Sequence, residues 1–334
     1  MKNYLNPSLL IKLLTLSVCV VASLAPQSVA AATESPEAPT RIIVGYAPGG
    51  AADNLARIYA EQLRVAGQGT VLVENKPGAS ARLALDFVKR SKPDGKTIFI
   101  GPSPLFTIFP LTYKKLAYDA DKDLIPAALL TEVPTVISAG VQQPYKNMKE
   151  YVEWVKRNPT SASIGLATSG SSGHLGAVAL GKSIGVPLTP AVYRGASPML
   201  IDVIGGNLSI GWDAVASKMQ LYKGGKLQFL GVSGQKRAKA LPEVPTLKEQ
   251  GFNQFEFATS WYGAFLPAGT PAEVVSKVEQ MFLSASSDAS TSAKLEALGL
   301  EVIGRPGKEM QRRIQTERSH WKPIVEASGF TAED

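Results

Sequence analysis

From Arg41 to Ala47 the chain is β-branched and apolar, Pro48-Gly49-Gly50 interrupts it, and Leu55, Ile58, Tyr59 and Leu63 then recur at helical spacing. This unit of strand, glycine turn and helix repeats. Thr70 to Glu74 predicts a strand, Lys76-Pro77-Gly78 a turn, Leu83 to Val88 a helix, and Pro93-Asp94-Gly95 turns into a strand over Thr97 to Ile100. Alternation of this kind constrains the fold strongly: it implies an α/β lobe with a mostly parallel sheet.

A second series starts after Val133-Pro134-Thr135-Val136-Ile137. Helices are expected over Met148 to Lys156, Leu175 to Ile184 and Met199 to Ile204, with a short one over Leu247 to Gly251; strands are expected over Ser163 to Ala167, Leu188 to Tyr193, Ser209 to Trp212 and Lys226 to Val232. Pro271 opens a helix that carries Val274, Val275, Val278, Met281 and Phe282 on one face, and Met310, Ile314, Trp321 and Val325 mark a long terminal helix. The alternation pauses at Val133 to Ala139 and at Phe257 to Leu266, the two segments on which the chain would cross between lobes. The expected organisation is therefore residues 40–136 with 257–334 as a discontinuous first lobe and 137–256 as an inserted second lobe.

Open α/β sheets bind ligands beyond the carboxyl ends of their strands. The loop from Ala47 to Asn54 lies at such a point, and glycine lets backbone approach a ligand while first-turn amides offer positive charge, which together make an anion site. The loop from Thr168 to His174 is its counterpart in the second lobe and adds three hydroxyls. Neither has the spacing of a phosphate-binding motif. Arg57, four residues after Asp53, reads as a helix-surface ion pair, and Arg194, beside Tyr193, as the better cleft cation.

Ahead of these lobes stand Lys2 and Lys12, the apolar run Leu13 to Ala25, and small residues at Ser28, Ala30 and Ala32. These are the parts of a signal peptide over residues 1–31, too short in its apolar run to span a bilayer. Export to the periplasm follows. Cys19 lies inside the signal behind Val18, a poor lipidation site, so the mature chain would have no cysteine for disulfides or thiol chemistry. The net charge of +7 falls as Lys2 and Lys12 leave, and basic residues alternate with acidic ones. The longest basic cluster, Lys236-Arg237-Ala238-Lys239, has no interleaved aromatics, so no nucleic-acid partner is expected.

Enzymatic readings are thin. His174 and His320 are the two histidines, which excludes a three-histidine metal site, and His320 beside Trp321 reads as packing. A Ser172-His174 hydrolase lacks the GxSxG elbow and would pair sequence neighbours, which rarely form a triad.

The segments YAPGGAADNLAR, VENKPGAS, KPDGKTIFIG, LAYDADKDLIP, SGSSGHLG, VYRGASPMLIDVIGGNLSIGWDA, LQFLGVSGQKRAKALPEVPTLKEQGF and SWYGAFLPAGTP occur in this order from Arg41 to Phe330. In this the chain resembles the substrate-binding receptors of tripartite tricarboxylate transporters, often called the Bug family. The resemblance implies a bilobal periplasmic-binding-protein fold, type II-like, with two α/β lobes joined by two crossing strands and a ligand cleft between them. It also implies a carboxylated ligand held through backbone amides and ordered waters. Carried over by position, the first-lobe site would be Tyr46, Pro48, Gly49, Gly50, Ala51, Asp53 and Ser103, and the second-lobe site Ser169, Gly170, Ser172, His174, Tyr193, Gly195 and Asp213. Asp213 suits a ligand amine, hydroxyl or bridging water better than a second carboxylate. The sequence departs from the family at Ala52, where Thr or Ser is frequent, and at Pro77 to Ala81, where PGASA replaces PGAGG, so Ser80 and Arg82 would supply different chemistry. Phe106 and Phe109 read first as core, or as the wall for an aromatic carboxylate if they line the cleft.

The expectation is thus a non-enzymatic, monomeric solute-binding protein without metal or other cofactor. It would capture a small carboxylate (dicarboxylate, tricarboxylate or aromatic) and deliver it to integral membrane transporter subunits. A periplasmic sensor for a signalling partner and a periplasmic serine hydrolase are the rivals.

Overall fold

A computed structural model describes residues 38–167, 169–193 and 195–332. The signal segment, Cys19, Thr168 and the expected cleft cation Arg194 lie outside the described residues.

β1 (Thr40–Val44) is the apolar run TRIIV, and Ile42, Ile43 and Val44 have no exposure at all because helices cover both faces of the sheet. It pairs in parallel with β2 (Val71–Asn75) and β3 (Thr97–Pro102). α1 (Ala51–Val65) buries Leu55, Tyr59 and Leu63 on one face of that sheet and turns Arg57, Glu61 and Arg64 to solvent. α2 (Arg82–Lys89) buries Ala84, Leu85 and Val88 on the other. Two short helices, α3 (Pro104–Thr107) and α4 (Phe109–Thr112), follow β3 and carry Phe106 and Phe109 inward. Phe106 stacks on Phe265 with ring centroids 3.9 Å apart, and Phe109 meets Tyr113. Both are core residues, so they offer no aromatic wall to a ligand.

β4 (Leu124–Val133) ends the outward path, and after Pro134 the chain enters β5 (Thr135–Gly140) of a second sheet. There follow α5 (Met148–Arg157), β6 (Ser163–Leu166), α6 (Ser172–Ile184), β7 (Thr189–Val192), α7 (Ala196–Gly205), β8 (Ile210–Ala214), α8 (Met219–Lys223) and β9 (Leu227–Val232). The chain returns through β10 (Ser260–Pro267), α9 (Ala272–Ser287), α10 (Ala289–Ala297), β11 (Glu301–Pro306) and α11 (Gly307–Ser328).

The strand orders are β11-β4-β10-β3-β1-β2 and β7-β6-β8-β5-β9. Both sheets are mixed, which corrects the expectation of mostly parallel sheets. β10 lies antiparallel to β3 and β4, and β5 antiparallel to β8 and β9. The reason is the bilobal path: a strand that leaves a lobe and one that returns to it side by side must run in opposite directions. Two other expectations fall. Leu247 to Gly251 forms turns, with Gln250 and Gly251 amides bonded three residues back, and Gly251 at φ +92° ends it before a helix can propagate. The return strand starts at Ser260 and not at Phe257.

At the crossing, Thr135 Oγ1 donates to the Ala258 carbonyl (2.7 Å), accepts from Trp212 Nε1 (2.9 Å) and pairs with the Ser233 hydroxyl, all buried. Lys218, with no exposure, donates through Nζ to the carbonyls of Val136 (2.9 Å) and Gly211 (2.8 Å), tying β5 to β8. On the first-lobe side, Arg313 of α11 bridges Glu132 (2.8 Å) and Glu317 (2.7 Å), and Trp261 Nε1 donates to Glu317 (2.9 Å). Further along, α11 leaves this lobe: Pro323, Ile324 and Ala327 stand against Val178, Ala179 and Lys182 of α6. His320 packs edge-on between Phe257 and Trp321, as the sequence suggested. No helix among the described residues is long and apolar enough to cross a membrane.

Candidate functional site

The turns expected to form the ligand site fall at the carboxyl ends of strands, where α/β sheets place ligands. Tyr46 to Gly50 follow β1, Ser103 follows β3, Ala167 and Ser169 to Ser171 follow β6, Tyr193 and Gly195 follow β7, and Asp213 is the penultimate residue of β8.

The first turn is held from inside. Asp53 is 1% exposed, and its Oδ2 accepts from the Gly49 amide (2.8 Å) and Arg57 Nε (2.9 Å) while Oδ1 accepts from Asn75 Nδ2 (2.9 Å). Burial pushes this carboxyl up, but the hydrogen bonds from Arg57, Gly49 and Asn75 and the Arg57 charge outweigh it and bring the pKa down to about 2. The ion pair with Arg57 is the one its spacing predicted. Asn75 also donates to the Tyr46 carbonyl (3.0 Å), so the acid and the amide together brace both sides of the turn. Asp53 thus spends its oxygens on the turn itself, and Pro48, Gly49, Gly50 and Ala51 stay exposed above it.

Gly50 is the N-cap of α1 and offers no side-chain cap, so the first-turn amides of this 15-residue helix have no protein acceptor by position. Beside them the half-buried Tyr46 has its hydroxyl pKa raised by burial and by the neighbouring Tyr262, whose own is pushed up to about 12. Both are neutral hydrogen-bonding groups at physiological pH. Ser103 is buried, its hydroxyl 3.2 Å from that of Ser260, and its amide donates to the Trp261 carbonyl (2.8 Å).

Next to this turn the backbone is strained. Ala79, Ser80 and Ala81 have φ of 45°, 53° and 73°, three consecutive non-glycine residues in the left-handed region. Ala81 presses on Gly45, where an added Cβ would lie 2.2 Å from the Ala81 Cβ, so only glycine fits at 45. The sequence hinted at this for two of the three: the family's PGAGG carries glycine where Ser80 and Ala81 stand. Ser80 is exposed at the apex, and Arg82 lies over the Tyr113 ring at 4.3 Å.

The second turn is built differently. The Ser171 hydroxyl caps α6 by accepting from the His174 amide (3.2 Å), and the Gly170 amide donates to His174 Nδ1 (3.1 Å). Burial lowers the His174 pKa, which keeps Nδ1 a free acceptor for that amide. With Nδ1 accepting, the neutral ring carries its proton on Nε2, the opposite tautomer to that of a Ser-His-Asp hydrolase, whose Nε2 must be free to take the serine proton. Ser172 is buried and Ser169 exposed. The adjoining turn after β7 has Gly195 at φ +112° as an N-cap of α7 without a side-chain cap, so the second lobe also offers an open helix start. Tyr193 donates to Asp202 (2.5 Å), and Asp213 accepts from Ser217 (2.9 Å). The cap at Ser171 and the brace at Asn75 went unread in the sequence, since a Ser three residues before a helical His, and an Asn at a strand end, are common patterns.

A cavity of 450 Å³ lies elsewhere, lined by Glu132, Pro134, Lys236, Phe257 and Arg313 beside the crossing strands. Among the described residues no cluster of acidic, histidine or cysteine side chains is able to hold a metal ion.

Residues 55–330 match the family described as "Tripartite tricarboxylate transporter family receptor". The fold is similar to that of the periplasmic binding protein BugD, at 31% identity and a TM-score of 0.74, over 90% of this chain and 100% of that one. It is similar to Rpa4515 of R. palustris, solved with adipate (27% identity, TM-score 0.77, 89% and 99% of the chains). It is also similar to MatC of Rhodopseudomonas palustris, solved with bound malate (28% identity, TM-score 0.72, 86% and 99%).

Proposed function

Because the chain belongs to the tripartite tricarboxylate transporter receptor family, we propose that it is an exported solute-binding protein that captures a small dicarboxylate and delivers it to integral membrane transporter subunits. Its lobes, 40–136 with 257–334 and 137–256, hinge about the two crossings and close on the ligand. The observation that carries the reading is the uncapped start of α1: its amides open onto an exposed glycine turn while Asp53 beneath is fully neutralised by Arg57 and its hydrogen bonds. That arrangement favours an anion. The open start of α7 at Gly195, with Ser169, Gly170, Ser172 and His174 beside it, would meet the ligand from the other lobe. Ser80, Ser103, Tyr46 and Tyr193 supply neutral hydroxyls, which suits a ligand bound by dipoles and hydrogen bonds in place of cations.

The ligands seen in similar receptors, adipate and malate, support two carboxylates on a short carbon chain. The segment of residues 1–31 supports export. A thermal-shift screen of mono-, di- and tricarboxylates on the purified protein tests the reading: a dicarboxylate should raise the melting temperature in a dose-dependent way, because it binds the native state alone. A panel in which no carboxylate shifts melting would sink it.

A further inference from the structure

The terminal helix does not end on the lobe in which it starts. Beyond its last turn, Gly329 takes a left-handed φ of 64° and redirects the chain, and the Phe330 amide bonds the Ser328 hydroxyl (3.0 Å). The Phe330 ring meets the His174 imidazole edge-on, with centroids 4.8 Å apart and planes at 73°. A Cβ built on Gly170 would lie 3.7 Å from the same ring, so Phe330 packs on one partner of the hydrogen bond that props the second turn and lies close to the other. Two residues later the chain is anchored on the opposite lobe: the Ala332 amide donates to the Thr112 carbonyl (3.0 Å), and Tyr113 bridges Ala332. Tyr113 in turn carries Arg82, two residues after the strained apex at Ser80.

We propose that Phe330 is a positioning residue for the ligand site, its ring fixing the imidazole that accepts the Gly170 amide while the tail beyond it ties this turn to Thr112 of the first lobe. The inference rests on the reading of the two turns as the ligand site. Its chemistry is simple. His174 props the turn only while Nδ1 carries a lone pair; as an imidazolium both ring nitrogens are donors and the Gly170 amide loses its acceptor. Burial alone depresses the ionisation of His174. The elements packed on it bring Asp213 at the end of β8, Glu326 on α11 and Lys182 on its own helix, and none of these charges contributes to the shift. Part of that cover is the Phe330 ring, so removing it exposes the imidazole to water and protons.

The experiment uses full-length mature protein with ¹⁵N-labelled histidine. Two histidines in the chain make the imidazole spectrum assignable with a single His320→Gln control. In the native protein His174 should stay neutral below the ordinary histidine range, whereas in Phe330→Ala its titration should move up toward that range. Phe330→Tyr, which keeps the ring, should restore the native titration. With the dicarboxylate that gives the largest thermal shift as probe, calorimetry at pH 7.5 should show about tenfold weaker binding for Phe330→Ala and a further loss at pH 6, with Phe330→Tyr close to native. An identical His174 titration in the native protein and Phe330→Ala overturns the proposal. So does a shifted titration with unchanged affinity, which would leave Phe330 as packing alone. If no carboxylate binds the native protein, the ligand-site reading fails first, and the titration still judges whether Phe330 holds the imidazole.

Discussion

Placing a carboxylate on the first turn separates stability from binding, because Gly50→Asp pushes the two in opposite directions. Gly50 has φ −77°, and a Cβ there meets nothing nearer than the Ala47 carbonyl oxygen at 3.6 Å, so an aspartate side chain fits without backbone change. As the N-cap of α1 it would accept from the open first-turn amides and sit at the positive end of the helix. Together these should stabilise the fold by about 0.5–1 kcal/mol, a rise of roughly 1–3 °C in melting temperature for a chain of this size. The same carboxylate occupies the amides that the ligand needs and lies next to its charge. At about 4 Å and an effective dielectric near 20, two like charges repel by about 4 kcal/mol. That is roughly a thousandfold in Kd. Differential scanning fluorimetry gives the first quantity and titration calorimetry with a bound dicarboxylate the second; Gly50→Ala, uncharged and sterically allowed, is the control for side-chain bulk. A Gly50→Asp protein that melts slightly higher and still binds with native affinity would refute the argument that α1 holds the carboxylate.

Other perturbations test the frame around the site. Burial, opposed by Asp213, brings the Lys218 ammonium down to about 7. Unfolded lysine keeps its proton to about 10.4, so between these values the unfolded state holds more protons and stability rises with pH, by about 1.4 kcal/mol per pH unit. Urea midpoints measured from pH 7.5 to 9.5 should climb in the native protein and lose that slope in Lys218→Met; parallel profiles would contradict it. Ser80→Gly relieves an exposed left-handed residue at φ 53° and should raise stability by up to about 1 kcal/mol, read as a higher urea midpoint. Thr135→Val strips the acceptor from Trp212 Nε1 and one of the two donors from the Ala258 carbonyl at the crossing, and chemical denaturation should register a loss of about 1–3 kcal/mol.

Periodicity made the layered α/β frame legible, since residues such as Leu55, Tyr59 and Leu63, or Met310, Ile314 and Trp321, repeat at helical spacing and are buried where they were placed. The antiparallel crossing strands were not legible as such, because alternation of strands and helices carries no sign of strand direction. α10 and β11 also escaped the reading. The segment Ala289–Ala297 has little apolar contrast between its faces, and in Glu301–Pro306 most residues are only half-buried at a sheet edge, so neither has a clear period. In the site, glycine turns were visible because backbone freedom is written in residue type. The brace at Asn75 and the packing of Phe330 on His174 join residues 22 and 156 positions apart, and nothing local in the sequence encodes them, whereas the Ser171 cap is local but too common a pattern to single out.

A crystal structure of the protein with its best dicarboxylate tests the central claim most directly. The account places one ligand carboxylate within hydrogen-bond distance of the Ala51 and Ala52 amides, with residues of the Gly170 and Gly195 turns on the ligand's other side. Ligand density in the 450 Å³ cavity beside Glu132, Lys236 and Arg313, with the α1 amides left to water, would contradict it.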